Sequence, residues 1–212
     1  MTVGETQPSE QEVRELVAAV VAAVGTGDRE ATGTAVLADP APDDQEGVVV
    51  PPPTANPRLA DIAIGGDHGG FHLKQRIAAH LQENGFTVHD CGTETTDSVD
   101  YPDYAHTVAR LVAGGECRWG IVVDGAGIGS AIAANKVPGI RAATCWDVSS
   151  AKNSREHNHA NVLALGASLL GESLVLEIVQ TWLQTAWSGG RHSRRVGKIA
   201  EIERRYLKDG VR

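Results

Sequence analysis

The sequence predicts an α/β fold: a doubly wound parallel sheet of Rossmann-like, three-layer form, preceded by an N-terminal amphipathic helix and a disordered linker. Three observations carry this. From Asp61 onward, short apolar runs of strand length alternate with longer segments of helical period, the pattern of a parallel sheet covered by helices on both sides. The apolar run Trp119 to Val123 enters a glycine-rich turn, Asp124-Gly125-Ala126-Gly127-Ile128-Gly129, and then a helix, as a buried strand does in such folds. Residues 25–58 are rich in Gly, Asp and Pro and cannot bury enough apolar surface to offset their ordering entropy.

The chain accordingly divides into 1–24, 25–58 and 59–212. In the first part Val13, Leu16, Val17, Val20, Val21 and Val24 form one apolar stripe at helical spacing over 9–24. Ser9 followed by Glu12 is a capping-box pattern, and Gly25 supplies a stop. The linker contains Pro40, Pro42 and the run Pro51-Pro52-Pro53, which keeps part of it extended. A striped helix on such a tether suits a docking peptide; packing on its own domain is the alternative. In the third part strands are predicted over 61–65, 86–90, 119–123, 140–144 and 161–165. Helices are predicted over 71–84, 102–114, 129–136, 148–156, 171–187 and 193–207.

Composition narrows the function classes. With 42% apolar residues the chain has the makings of a packed soluble domain. A net charge of −8 argues against nucleic-acid binding, which needs clustered Lys and Arg. Cys91, Cys117 and Cys145 are odd in number and lack metal-type spacing, so neither a disulfide framework nor a structural zinc site is predicted, and reduced thiols suit the cytoplasm. No apolar run approaches membrane-spanning length, and the N-terminus is acidic, unlike a secretory signal.

Five segments can carry chemistry. The first strand ends in Gly65-Gly66-Asp67-His68-Gly69-Gly70, which lacks the dinucleotide fingerprint but places a carboxylate and an imidazole at a strand end. These can handle sugar hydroxyls and phosphate, or act as a helix cap with a surface His. Asp100-Tyr101-Pro102-Asp103-Tyr104 starts a helix, with Pro102 in its first turn and tyrosine hydroxyls able to reach a polyol. In the glycine turn, backbone N–H groups near a helix N-terminus can cradle an anion, with Asp124 at the carboxyl end of the strand. His157 and His159 are spaced for a shared metal on neither a helix nor a loop without more ligands, so a single His acting on a ring oxygen is preferred. Arg191 and Arg195, four apart, share a helix face and can fork around a phosphate. A solvated basic helix start is the alternative, although positive charge there opposes the macrodipole.

Taken together, GGDHGGF, SVDYPDYA, GxGIGxxIAANKVPGIRAA, SREHNHANVLALG and GGRHSRRV resemble the ribose-5-phosphate isomerase B family, which includes the galactose-6-phosphate isomerase subunits. The resemblance covers about residues 60–205. It implies a doubly wound α/β domain, forming a homodimer or tetramer with active sites shared between subunits. It also implies interconversion of an aldose phosphate and a ketose phosphate through an enediol, with no metal and no organic cofactor. The matching positions are Asp67, His68, Tyr101, His157, Asn158, Arg191 and Arg195 for the substrate. His68, Arg191 and Arg195 would hold phosphate, and His157 would assist ring opening. Gly125, Gly127 and Gly129 would form the anion hole for the enediolate.

The chain departs from that pattern at the base. The family's Cys-Gly-Thr-Gly is Asp124-Gly125-Ala126-Gly127 here; the Glu that some relatives use instead is Ser130; and the Arg after Gly166-Ala167 is Ser168. One subunit type of galactose-6-phosphate isomerase also carries Asp at the Cys position. Two readings stay open: an active isomerase with Asp124 as base and Asp67 and His157 assisting, and a catalytically degenerate or partner-dependent sugar-phosphate binder. A third expectation concerns residues 9–24, whose form resembles the peptides that target cargo to the shell of a bacterial microcompartment.

Overall fold

The computed structural model describes residues 60–207 and, apart from them, Gln11, which is helical. The remainder of the helix predicted over 9–24, and the linker predicted over 25–58, lie outside the described residues. The elements run β1 (Ala60–Gly66), α1 (Phe71–Glu83), β2 (Val88–Asp90), α2 (Tyr101–Ala113), β3 (Cys117–Asp124), α3 (Ile128–Ala134), β4 (Ala142–Thr144), α4 (Val148–Glu156), β5 (Val162–Gly166), α5 (Glu172–Gln184) and α6 (Arg191–Tyr206). The five strands are all parallel, in the order β2-β1-β3-β5-β4. This is the Rossmann-like architecture predicted from the alternation.

Both faces of the sheet are apolar because both are covered. Ile62, Ile64, Trp119, Ile121, Val123, Leu163 and Leu165 face a core shared with α1, α4 and α5. Ala63, Val122, Val162 and Ala164 face a second core with α2 and α3, built on the smaller Ala105, Val108, Ala109, Ala131 and Ala134. The helix after β1 therefore packs on one face and the helix after β3 on the other. Adjacent strands whose connections leave in opposite directions open a crevice at their carboxyl ends, where ligands bind in doubly wound sheets. β1 and β3 are such a pair, in register to Gly66 against Val123.

Two elements end earlier than their period suggests. α3 stops at Ala134, where Asn135 caps it and its side chain turns to the backbone of Ala142. α5 stops at Gln184, because Ser188 is pulled to the end of α4 by two hydrogen bonds to the Glu156 carbonyl, from its amide at 3.1 Å and its hydroxyl at 2.8 Å. α6 then runs past the α3–β4 connection, where Glu203 accepts from the Gly139 amide at 2.9 Å.

Candidate active site

At the carboxyl edge the loops after β1 and β3 lie against each other. A side chain at Gly70 would come within 2.2 Å of the Val123 carbonyl oxygen, so only glycine lets the two strand ends approach this closely. Asp67 and Asp124 flank this contact and are 7% and 4% exposed. Asp67 caps its own turn, accepting from the Gly70 amide at 2.9 Å. Asp124 folds back on the loop that follows it. Its Oδ1 accepts from the amides of Ala126, at 2.7 Å, and Gly127; its Oδ2 accepts from Ser130, at 3.1 Å. Gly127 permits this by adopting φ +75° at the cap of α3, a conformation that costs other residues. Tyr101, at the start of α2, stands over the same loop: a Cβ on Gly129 would lie 2.5 Å from its ring. Ser168, after β5, closes the far side, its amide donating to the Gly125 carbonyl at 2.9 Å. His68 is exposed, and its Nδ1 accepts from the Val99 amide at 3.2 Å.

A second group lies at the other edge. The Gly120 amide donates to the Asn161 carbonyl at 2.9 Å, which sets Asn161, at the entry to β5, level with Gly120. That is four residues upstream of Asp124, or about 13 Å along an extended strand. Here the ring of His157 stacks on that of His192, centroids 4.2 Å apart and planes 4° from parallel. Asn158 donates to the side-chain oxygen of Asn153 at 3.1 Å, which turns the Asn153 amide nitrogen toward His157 Nδ1 at 2.8 Å. Arg191 Nε donates to His192 Nε2 at 3.2 Å. Burial, then the nearby His157, Arg191 and Arg195, push the His192 pKa down, while Glu156 opposes this. His159 goes elsewhere: at φ +51° it ends the α4 turn and stacks on Trp187 at 4.8 Å. Its pKa is also lowered, by burial first and then by Arg141 and Arg155. Arg155 itself is 6% exposed, lying 4.9 Å over the Trp182 ring and 5.7 Å over Trp119. Burial pushes it down to about 10, with Arg118 and Arg141 adding to the shift.

The predicted site residues thus fall into two groups. Asp67, His68, Tyr101, Asp124, Gly125, Gly127 and Gly129 gather at the carboxyl edge; His157, Asn158, Arg191 and Arg195 belong to the amino edge. His68 falls in the first group and the arginines in the second. One expectation changes. Gly127 offers no amide to a ligand, because the Asp124 carboxylate takes it; the N–H groups of Ile128 and Gly129 have no acceptor among the described residues. His192 was missed. Its only signal is local: His192 and Val196, four apart, are the buried and half-buried positions in the first turns of an otherwise exposed α6.

Known proteins match this chain over the same region. A profile described as Ribose/Galactose Isomerase matches residues 62–199. Ribose-5-phosphate isomerase B of Escherichia coli strain K12 is 51% identical over 147 residues, 69% of this chain and 99% of that protein. The D-erythrulose-4-phosphate isomerase of Pectobacterium atrosepticum is 42% identical over 146 residues, 68% of this chain and 96% of that protein. The solved ribose-5-phosphate isomerase B of Clostridium thermocellum superposes with a TM-score of 0.68 at 55% identity, covering 69% of this chain and 99% of that one. With its sheet order, its paired glycine turns and these matches in hand, the chain belongs to the ribose/galactose isomerase family.

Proposed function

We propose that the protein is an aldose–ketose isomerase acting on a small sugar phosphate, of the ribose 5-phosphate/ribulose 5-phosphate type, with Asp124 as the base that moves a proton between the two sugar carbons. One observation carries this: Asp124 presents a buried carboxylate, with no cationic partner among the described residues, at the ligand-binding crevice beside Tyr101. Oδ1 already accepts two hydrogen bonds, whereas Oδ2 accepts one and keeps a lone-pair direction free. Oδ2 is then the atom that takes the proton from C2 and returns it to C1. The enediolate between these steps faces the remaining loop amides, those of Gly125, Ile128 and Gly129. Tyr101 and Asp67 hold sugar hydroxyls. At His157 the Asn153 amide occupies Nδ1, which leaves Nε2 carrying hydrogen, ready for the ring oxygen during opening.

The site is completed by a second copy. His157, Asn158, Arg191 and Arg195 lie too far along the sheet from Asp124 to act on the same small sugar within one chain. α6 also presents Ile199, Ile202 and Tyr206 at 48%, 54% and 83% exposure, an apolar stripe of the kind a partner covers. In a symmetric dimer each crevice would receive the histidine and arginines of its partner.

A second reading, a sugar-phosphate binder that does not turn over by itself, is favoured by the same three amides, which satisfy a carboxylate that a base would need to free. The test is the purified full chain assayed by NMR against pentose, tetrose and hexose phosphates. Interconversion of one aldose–ketose pair supports the isomerase; tight binding without interconversion supports the binder.

A further inference from the structure

His192 has no role in the proposed reaction, yet it is the most enclosed imidazole at the amino edge, 8% exposed. Three contacts converge on it. Its face lies on His157 at 4.2 Å, its Nε2 accepts from Arg191 Nε at 3.2 Å, and the Trp187 ring meets it edge-on at 6.4 Å. The hydrogen bond fixes the tautomer: Nε2 is the acceptor, so the hydrogen sits on Nδ1. It also fixes the arginine. With Nε turned inward, the two terminal nitrogens of Arg191 are the part of the fork left for an anion.

We propose that His192 is a positioning residue that sets the anion-binding fork of Arg191 and the ring plane of His157 as one unit. The role requires a neutral imidazole, since a proton on Nε2 would remove the acceptor and place a cation against Arg191. The groups facing it favour the neutral form. His157 lies at the end of α4, Arg191 and Arg195 are on its own helix, and only Glu156 favours the charge. The inference rests on the reading of Arg191 as a phosphate ligand and of His157 as a proton donor.

Two substitutions separate the contacts. In His192→Phe a ring still stacks on His157, but no acceptor remains for Arg191. In His192→Gln a carbonyl can accept from Arg191, but nothing stacks. With the sugar phosphate that the full chain turns over, His192→Phe is expected to raise KM about tenfold and lower kcat less than about threefold; His192→Gln should do the reverse. Equal changes of KM and kcat in both variants would make His192 a packing residue only and overturn the proposal. Calorimetry with inorganic sulfate gives a readout that needs no turnover. Affinity should fall about tenfold in His192→Phe and less than about threefold in His192→Gln; equal affinities would contradict the orientation of Arg191. The imidazole ¹⁵N shifts of the wild-type chain test the geometry whether or not the protein is an isomerase. Neutral His192 with hydrogen on Nδ1 at about pH 6.5, where a free histidine is half protonated, is expected; hydrogen on Nε2 would overturn the proposal.

Discussion

Gly129 has no side chain because the Tyr101 ring stands where one would go. Gly129→Ala would place a methyl group 2.5 Å from that ring. Tyr101 is 39% exposed and can swing outward, so the chain should fold while the ring leaves the crevice. We expect kcat/KM to fall roughly 10- to 100-fold, the scale of a misplaced contact, with the thermal midpoint lowered by less than about 4 °C. A variant with unchanged kcat/KM would remove Tyr101 from the site. The residues at this scale were unevenly legible in the sequence. Asp124 stood out as an acid at a strand end before glycines. That its carboxylate would take the amides two, three and six residues later was not, because this depends on Gly127 turning left-handed and aligning those N–H groups. Nor was the partner of His157 visible, since His192 lies far along the chain and only packing unites the rings.

Adjacent glycines in the β1–α1 turn have unlike roles. At Gly70 a Cβ would meet the backbone of β3, which cannot move without disturbing the sheet; at Gly69 its nearest neighbour, Asp67 Oδ1, is 3.4 Å away. Gly70→Ala should therefore lower stability by about 3 kcal/mol or more, and Gly69→Ala by less than about 1 kcal/mol. Urea unfolding measures both; equal losses would mean that the two loops are not held in contact. The elements were the most legible level. All five strands and all six helices expected after residue 60 form, because two apolar faces impose continuous runs on the strands and a 3.6-residue stripe on the helices. The exceptions lie where tertiary contacts override local signals. β4 begins at Ala142, not at residue 140, since Ile140 turns into the core under α3. α5 ends before Trp187, whose ring is held by His159 instead of continuing the helix.

At the scale of the molecule, the division of the site between two edges has a quantitative consequence. If each crevice takes its arginines from a partner, Asp124→Asn and Arg191→Ala damage different copies of one site. Mixing the two variants in equal amounts and allowing exchange should restore roughly a quarter of wild-type turnover: half of the dimers are mixed, and each of those has one intact site of two. No recovery would show that each chain works alone. The expectation of sharing came only from the family resemblance, because no pattern in one sequence states which copy supplies a residue. The region before residue 60 lies outside the family match, which spans residues 62–199. Deleting residues 1–57 should therefore preserve turnover within about twofold and shift the thermal midpoint by less than about 3 °C, as expected when a Pro-rich stretch separates two parts. A larger fall would show that the N-terminal segment stabilises the domain. The central claim, that Asp124 moves the proton, is tested most directly in deuterated water. The wild type should exchange the reacting C–H of its sugar phosphate with solvent, and Asp124→Asn should lower that exchange by roughly 10²–10⁴ while binding changes little. Exchange by Asp124→Asn at the wild-type rate would contradict the account.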